Sequence, residues 1–217
     1  MQKHDQHTKT ETSNGMKYVV GIDEVGRGAL AGPVAVGAVL MPADLSWDDF
    51  ENLKDSKKLS EKKREEWFEI IRTSDVLAFG VEMMGSEFID KEGIVPACVC
   101  AAHKIITHFD VDIDEVNVLC DAGLSVPKEW NQESIVRGDE KEASIALASI
   151  VAKVTRDRYM REYAKRYSAY GFEKNKGYGT KAHRISIQEK GHIPGFHRIS
   201  FLGNILAKSR GKTLANS

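Results

Sequence analysis

Two apolar runs rich in β-branched residues end at acidic residues, and this feature constrains the fold of the chain most. The run KYVVGI, residues 17–22, ends at Asp23 and Glu24, and the run VNVLC, residues 116–120, ends at Asp121. Runs of this length and composition are typical of buried β-strands. The sequence therefore predicts a sheet in which at least two strands end at carboxylates.

Hydrophobic periodicity predicts further elements around these two strands. We predict additional strands at 34–40, 76–84 and 134–136, and helices at 59–73, 95–109, 142–167 and 181–190. Strands that first form a meander and then alternate with helices indicate a mixed α/β sheet with helices on its faces. Residues 1–15 contain almost no apolar side chains, so we predict a disordered extension there and one domain at 16–217.

Composition excludes a membrane-spanning chain and a disulfide framework. No stretch approaches the roughly 18 consecutive apolar residues that a membrane span needs. The cysteines, Cys98, Cys100 and Cys120, lie among apolar neighbours, and a lone C-x-C pair lacks two further metal ligands. We therefore expect reduced core cysteines and a cytoplasmic protein.

The net charge of −1 conceals a strong asymmetry along the chain. From Lys153 to Ser217 there are 15 Lys and Arg residues against 4 Asp and Glu residues, a net charge of +11. Such asymmetry indicates a basic end that binds a polyanion, although a solvated helical tail would have the same composition.

Four acidic residues share a position at predicted strand ends. Asp23 and Glu24 follow the first strand, Asp121 the fourth, and Asp139 comes shortly after the fifth. Ligand sites of α/β sheets gather at carboxyl ends of strands, and clustered carboxylates need cations such as Mg²⁺ or Mn²⁺ to stay ionised. Each acid alone could equally be a cap or turn residue. Moreover, adjacent strand residues point to opposite faces, so Asp23 and Glu24 share a site only if the strand ends or bulges there.

Several strings, in order along the chain, resemble signatures of ribonuclease HII, the type 2 ribonuclease H family. They are GIDEVGRGALAGPV (21–34), DSKKLS (55–60), LCDAGL (119–124), VRGDE (136–140), ASIVAKVTRDRYM (148–160), YGFEKNKGYGTKAH (170–183) and HRISF (197–201). The resemblance covers the chain from Met16 onward. It implies a ribonuclease H-like mixed sheet with flanking helices and a basic, helical C-terminal region.

The resemblance also implies an activity and a set of site residues. The family hydrolyses the RNA strand of RNA/DNA hybrids and cuts 5′ of ribonucleotides embedded in duplex DNA, leaving a 3′-hydroxyl and a 5′-phosphate. Two Mn²⁺ or Mg²⁺ ions would be held by the four matching carboxylates, Asp23, Glu24, Asp121 and Asp139. Gly26, Arg27 and Gly28 match the loop whose backbone reads the ribose 2′-hydroxyl, and Tyr178 matches the tyrosine that packs against the next sugar.

Physical reasoning supports these assignments to different degrees. Glycines let a backbone approach a ligand closely, and the 2′-hydroxyl is the group that distinguishes ribose from deoxyribose. The side chain of Arg27 could instead contact a phosphate or form a salt bridge. Tyr178 could be a packed loop aromatic, although its flanking glycines favour a ligand contact.

Other polar residues are candidates for contact with the substrate backbone. Ser149, Lys153 and Arg156 are spaced to lie on one helical face, which opens the basic segment and could hold phosphates or simply be solvated. Ser56 and Lys57 lie in a lysine-rich loop with the same two possibilities. Isolated histidines such as His183 and His197 are more often structural than catalytic.

Three competing interpretations remain at this stage. A ribonuclease HIII would normally carry an extra N-terminal domain and a glutamate as the fourth acid, where this chain has Asp139. A non-catalytic hybrid-binding protein should lack a carboxylate, and a resolvase or transposase would not need a ribose-selective loop. The sequence after Phe201 shows no glutamine-and-aromatic clamp-binding box, so we expect a monomer that acts on nucleic acid without a clamp partner.

Overall fold

The computed structural model describes residues 16–50, 53, 59–203 and 205–206. Its strands are β1 (Tyr18–Val25), β2 (Val34–Pro42), β3 (Ala78–Met84), β4 (Val116–Asp121) and β5 (Asn131–Ile135). Its α-helices are α1 (Glu61–Thr73), α2 (Ser86–Glu92), α3 (Ile94–Ile106), α4 (Gly138–Lys141), α5 (Ala143–Arg166), α6 (Phe172–Asn175) and α7 (Lys181–Lys190). The predicted extension at 1–15 and the loop residues Ser56 and Lys57 lie outside the described residues.

The strands form one mixed sheet in the order β3-β2-β1-β4-β5. β1 and β2 form an antiparallel hairpin, and β3 adds to it antiparallel. β4 pairs parallel with β1, and β5 pairs parallel with β4. The carboxyl ends of β1, β4 and β5 therefore meet at one edge of the sheet, where ligand sites of such folds collect.

Helices cover both faces of this sheet, as its apolar residues require. On one face, Val20 and Ile22 of β1 pack with Ala97, Ala101 and Ile105 of α3. On the other face, α5 and α1 pack over the sheet in a second apolar cluster, which includes Leu147, Val151, Phe68 and Ile71. Two-sided covering explains why β1 and β2 are near-continuous apolar runs rather than alternating ones.

Close contact between α5 and β1 depends on a glycine. A Cβ atom at Gly21 would lie 2.1 Å from the carbonyl carbon of Ser144, a distance that real Cβ atoms essentially never show. The absence of a side chain thus lets the start of α5 touch the sheet. The helix is thereby held close to the strand end that carries Asp23.

A third apolar cluster is formed by the C-terminal part of the described chain. It contains Met160 and Ala164 of α5, Phe172, Ile187 of α7, and Phe196. The described part of the basic segment is therefore packed and largely helical, and it is not a solvated tail. Among the helices of the described residues, none is long and apolar enough to cross a membrane.

The observed elements confirm the predicted α/β fold, with instructive differences. Ser60 caps α1, its hydroxyl accepting a hydrogen bond from the Lys63 amide, and α7 has the predicted bounds. β5 begins and ends earlier than predicted, and its sequence NQESI lacks apolar alternation because, among the described strands, it lies at the edge of the sheet beside β4. α2 was not predicted. The cysteines are free, and Cys98 and Cys120 are buried core residues, as expected.

Candidate metal centre and substrate-binding loops

Three of the four predicted carboxylates form a cluster. One carboxylate oxygen from each of Asp23, Glu24 and Asp121 lies within 4.8 Å of the other two. Asp23 is buried, whereas Glu24 and Asp121 are half-buried. The chain thus brings together residues that are far apart in sequence because β1 and β4 are parallel neighbours.

The expectation that the first strand ends before these acids was wrong. β1 runs to Val25, so Asp23 and Glu24 lie within the strand, paired with Gly37 and Val36 of β2. The two carboxylates can still converge because the pairing of β1 with β4 ends at Ile22. Beyond Ile22, the side of β1 that faces β4 is unpaired. The Asp23 carboxylate accepts a hydrogen bond of 2.7 Å from the Glu24 amide.

The fourth predicted acid, Asp139, is not a member of this cluster. It is buried in the first turn of α4, directly after Gly138, whose amide donates a 2.8 Å hydrogen bond to Asp121 Oδ1. α4 therefore adjoins the cluster through Asp121. A role for Asp139 as a metal ligand stays a prediction.

Burial and mutual repulsion raise the pKa of two of these acids. The pKa of Asp23 is raised to about 7, chiefly by burial and further by Glu24 and Asp121, while a hydrogen bond with Ser149 opposes the shift. Burial also raises the pKa of Glu24, and the hydrogen bond from Arg27 lowers it in part. Without a neutralising cation, the charged forms of these carboxylates are unfavourable.

The cluster fits a hard divalent cation. Among the described residues, buried Glu24 Oε2 has no hydrogen-bond partner, while Arg27 pairs with the other oxygen of the same carboxylate. Carboxylate oxygens are the ligands that Mg²⁺ and Mn²⁺ prefer. Asp23, Glu24 and Asp121 are therefore the residues that would hold such ions.

The glycine-rich loop after β1 adjoins this cluster. Arg27 Nη1 lies 3.0 Å from Glu24 Oε1, which is the salt bridge considered as an alternative to phosphate contact. Gly26 has a φ of +94°, a conformation that other residues rarely adopt. The loop thus turns away from β1 directly beside the carboxylates.

Tyr178 lies beside the same loop. Ala29 and Tyr178 form an antiparallel bridge, and the Leu30 amide donates a 2.8 Å hydrogen bond to the Gly177 carbonyl. The Tyr178 ring is half-buried, and the guanidinium carbon of Arg156 lies 5.4 Å from its centroid. The structure therefore joins the two segments that the resemblance assigned to reading the substrate sugars.

The prediction that Arg156 holds substrate phosphate is wrong in this structure. Its side chain has 0% exposure and donates hydrogen bonds of 2.8, 2.9 and 3.3 Å to the carbonyls of Pro33, Lys176 and Ala31. A solvated surface position is excluded by the same observations. A buried guanidinium needs its donors satisfied, so Arg156 holds the two loops together instead.

Arg198 is a site residue that sequence reasoning missed. It is fully buried, and its Nη1 donates hydrogen bonds of 2.8 and 2.9 Å to the carbonyls of Gly26 and Arg27. Burial lowers the pKa of Arg198 to about 10. The string HRISF was the available signal, but periodicity could not show that its arginine reaches under the glycine-rich loop.

The remaining predicted substrate contacts are placed differently from one another. Ser149 hydrogen-bonds to the Asp23 carboxylate, so it borders the metal centre. Lys153 forms an ion pair of 2.9 Å with Asp157 on the same helix and is partly exposed. Ser56 and Lys57 lie outside the described residues. Contact of Lys153, Ser56 and Lys57 with substrate stays a prediction.

A mixed sheet of this strand order with carboxylates clustered beside its central strands defines the class of protein, an α/β protein with a candidate site for a divalent metal ion. The family model for Ribonuclease HII matches residues 20–203. The chain therefore belongs to the ribonuclease HII family, which settles the choice against ribonuclease HIII.

Individual relatives agree with this assignment. The ribonuclease HII of Fusobacterium nucleatum subsp. nucleatum is 44% identical over 201 residues, which cover 91% of both chains. That of Caldicellulosiruptor bescii is 45% identical over 197 residues, covering 90% of this chain and 91% of the relative. Among solved structures, the PCNA:RNase HII complex from Archaeoglobus fulgidus is similar, with a TM-score of 0.71, 26% identity, and coverage of 92% of this chain and 100% of that one.

Family membership establishes the general activity. Members are metal-dependent endonucleases that act on the RNA strand of RNA/DNA substrates, so this chain is an enzyme of that kind. The non-catalytic interpretation and the resolvase or transposase interpretation are thereby set aside.

Proposed function

We propose that this enzyme cuts on the 5′ side of a ribonucleotide embedded in duplex DNA, and within the RNA strand of hybrids, by a two-metal-ion mechanism. The observation that carries the proposal is the contact between the carboxylate cluster and two loops, the glycine-rich loop at Gly26–Gly28 and the loop that carries Tyr178. We call these two segments the sugar-reading loops. Arg27 pairs with Glu24, and two residues further along Ala29 bridges to Tyr178. A phosphate held at the carboxylates would therefore have its adjoining ribose within reach of these loops.

The carboxylates Asp23, Glu24, Asp121 and Asp139 would hold Mg²⁺ or Mn²⁺. When bound, the ions supply charge neutralisation at the reacting phosphate and favour deprotonation of the attacking water. Ser149 keeps the Asp23 carboxylate oriented through its hydrogen bond, and Arg27 does the same for Glu24. Burial of Asp23 limits the access of bulk water to its carboxylate oxygens.

The loops would supply the selection of sugars. Backbone groups of Gly26, Arg27 and Gly28 would hydrogen-bond to the 2′-hydroxyl, which DNA lacks. The Tyr178 ring would pack against the sugar that follows, where a 2′-hydroxyl would crowd it. Together these contacts would place the cut at a junction between ribose and deoxyribose.

The direction of cleavage follows from the reaction. Water attacks phosphorus, the bond from phosphorus to the 3′-oxygen of the preceding nucleotide breaks, and that oxygen leaves with a proton. The products are a 3′-hydroxyl and a 5′-phosphate on the ribonucleotide. Attack by the 2′-hydroxyl would instead cut on its 3′ side and leave a cyclic phosphate.

The experiment is cleavage of a labelled DNA duplex that contains one ribonucleotide, with Mg²⁺ or Mn²⁺ and with a chelator. We expect a single cut 5′ of the ribonucleotide and a 5′-phosphate end. Asp121→Asn should reduce kcat at least about 10³-fold, because it removes a charged ligand from the metal centre.

Asp110→Asn is the matched control. Asp110 is exposed and precedes the amino end of β4, whereas Asp121 ends the same strand. This variant should cleave like the wild type. Binding of the duplex without any cut in either metal, or a cyclic phosphate product, would overturn the proposal.

A further inference from the structure

Two buried histidines lie behind the loop that carries Tyr178. His183, in the first turn of α7, has 0% exposure, and His197 has 1%. Their Nε2 atoms are 3.2 Å apart. Neither histidine belongs to the carboxylate cluster, so the proposed mechanism gives this pair no role.

The hydrogen bonds at both ends of the pair determine its protonation. The Ile193 amide donates to His197 Nδ1 at 2.9 Å, and since a backbone N–H can only donate, this Nδ1 carries no proton. The proton of a neutral His197 is then on Nε2, which donates to His183 Nε2. His183 in turn carries its proton on Nδ1, which donates to the Tyr178 carbonyl at 2.9 Å.

The surroundings of the pair favour the neutral form of both rings. The ring of Phe172 lies 5.4 Å from that of His183, and the ring of Tyr170 lies 5.2 Å from that of His197, centroid to centroid. Burial lowers the pKa of His183, and it lowers the pKa of His197 to about 4. A second proton on either ring would break the chain of hydrogen bonds, because it would replace an acceptor with a donor.

This series of hydrogen bonds connects the loop that carries Tyr178 with the glycine-rich loop. At one end it reaches the backbone of Tyr178. At the other end His197 forms an antiparallel bridge with Ala31, and the next residue, Arg198, donates to the carbonyls of Gly26 and Arg27. The position of the Tyr178 backbone relative to the glycine-rich loop therefore depends on the two imidazole rings. Each hydrogen bond of these rings has a defined donor and acceptor.

We propose that His183 and His197 are positioning residues that hold the Tyr178 backbone and so set the preference for deoxyribose on the 3′ side of the ribonucleotide. This inference rests on the proposed function of Tyr178. It predicts that loss of the hydrogen bond to the Tyr178 carbonyl affects substrate selectivity more than it affects cleavage as such.

The test uses a selectivity ratio measured on the full-length enzyme with Mn²⁺ or Mg²⁺. The ratio is kcat/KM for a duplex with one ribonucleotide divided by kcat/KM for a uniform RNA/DNA hybrid of the same sequence. His183→Phe preserves an aromatic ring among aromatic neighbours but removes both hydrogen bonds of the imidazole. His183→Asn can place an amide nitrogen near the Nδ1 position and restore the donor to Tyr178.

Tyr170→Phe is the matched control within the same cluster. It removes one hydrogen bond, from the Tyr170 hydroxyl to the Gly191 carbonyl at 3.0 Å, that does not lead to Tyr178. We expect the ratio to fall about 10-fold in His183→Phe, which corresponds to the net value of one buried hydrogen bond. His183→Asn and Tyr170→Phe should stay within about 3-fold of the wild type.

The outcomes separate this inference from the proposed function. If the wild type shows no preference for the single ribonucleotide, the function proposed for Tyr178 is overturned. If Tyr178→Ala loses the preference but His183→Phe retains it, only the present inference is overturned. An equal fall of the ratio in His183→Phe and His183→Asn would also overturn it.

A measurement on the wild type covers the case in which His183→Phe does not fold. Histidine ¹⁵N spectra at about pH 7.5 should show two neutral rings, protonated at Nδ1 in His183 and at Nε2 in His197. The opposite tautomer in His183, or a charged ring in either residue, would overturn the hydrogen-bond chain on which the inference depends.

Discussion

The surroundings of Asp23 favour the protonated form of its carboxyl group. Burial, Glu24 and Asp121 together raise its pKa to about 7, so the folded chain keeps a carboxyl group in an arrangement that favours a cation. A protein selected for stability alone would not place three carboxylates in this way. The sequence identified these residues from their position at strand ends, although it misjudged where the first strand stops.

Gly26 and Gly28 are two positions of the glycine-rich loop at which the effect of an alanine substitution can be compared. At Gly26, φ is +94° and a Cβ atom would lie 2.3 Å from Arg156 Nε, whereas a Cβ atom at Gly28 would have no neighbour within 4 Å. Arg156 is held by three carbonyls and cannot yield easily. We expect Gly26→Ala to lower the free energy of unfolding by about 2–4 kcal/mol and to lose cleavage.

Gly28→Ala should leave the free energy of unfolding within about 0.5 kcal/mol of the wild type. Urea unfolding gives the stabilities, and cleavage of the duplex with one ribonucleotide gives the activities. A loss of activity in the stable Gly28→Ala protein would report contact with the substrate. Wild-type stability in Gly26→Ala would contradict the packing described for Arg156.

At the scale of elements, α1 is held against α5 by ion pairs as well as by apolar contact. Arg158 Nε lies 3.0 Å from Glu65 Oε2, and Arg161 Nη2 lies 2.9 Å from Glu65 Oε1. Glu61 and Glu69 pair with the same arginines. The sequence predicted both helices well, and α1 has the 3.6-residue periodicity of a half-buried helix, but it could not show which acids on α1 face α5.

Glu65→Gln should reduce the free energy of unfolding by about 0.5–1 kcal/mol at low ionic strength, since exposed pairs are worth little individually. The loss should shrink in about 1 M salt, where the screening length is short. Glu66→Gln is the control, because Glu66 pairs only with Lys63 of its own helix among the ion pairs described. Equal losses for the two variants, or a loss insensitive to salt, would contradict a network that joins the helices.

Two other elements show the limits of pattern reading. β5 has the polar sequence NQESI, and the neighbouring Val136 is 66% exposed, so the apolar residue used for the prediction was the wrong guide. α2 is too short for periodicity to reveal, yet its Asp90 accepts hydrogen bonds from the amides of Ile199 and Ser200. That contact between distant segments anchors the chain just after Arg198.

At the scale of the whole molecule, the buried histidines make stability depend on pH. The pKa of His197 is lowered from 6.5 to about 4, chiefly by burial and also by the nearby His183 and His192. Between these pH values the unfolded chain binds a proton that the folded chain does not. The contribution of neutral His197 to the free energy of unfolding is therefore complete above pH 6.5, and it is lost as the pH falls toward 4.

Urea unfolding of the wild type and of His197→Asn, in chelator and over this pH range, tests the prediction. Asparagine can still accept the Ile193 amide but cannot be protonated. The wild type should lose more stability on acidification, by up to about 1.4 kcal/mol per pH unit for one histidine. Parallel curves for the two proteins would show that His197 titrates in the folded state as it does in the unfolded chain.

By itself, the sequence determined the class of fold and the bounds of most helices, because periodicity is a property of neighbouring residues. Its resemblance to ribonuclease HII pointed to the carboxylates and to the loops proposed to read the sugars. Only the tertiary structure showed that the side chains of Arg156, Arg198, His183 and His197 are buried, and which groups they contact. An arginine in a helical pattern is the same in sequence whether its guanidinium meets water or three carbonyls. Two of the three carbonyls that Arg156 contacts belong to residues more than a hundred positions away in sequence, and their positions depend on how the sheet and the C-terminal cluster pack.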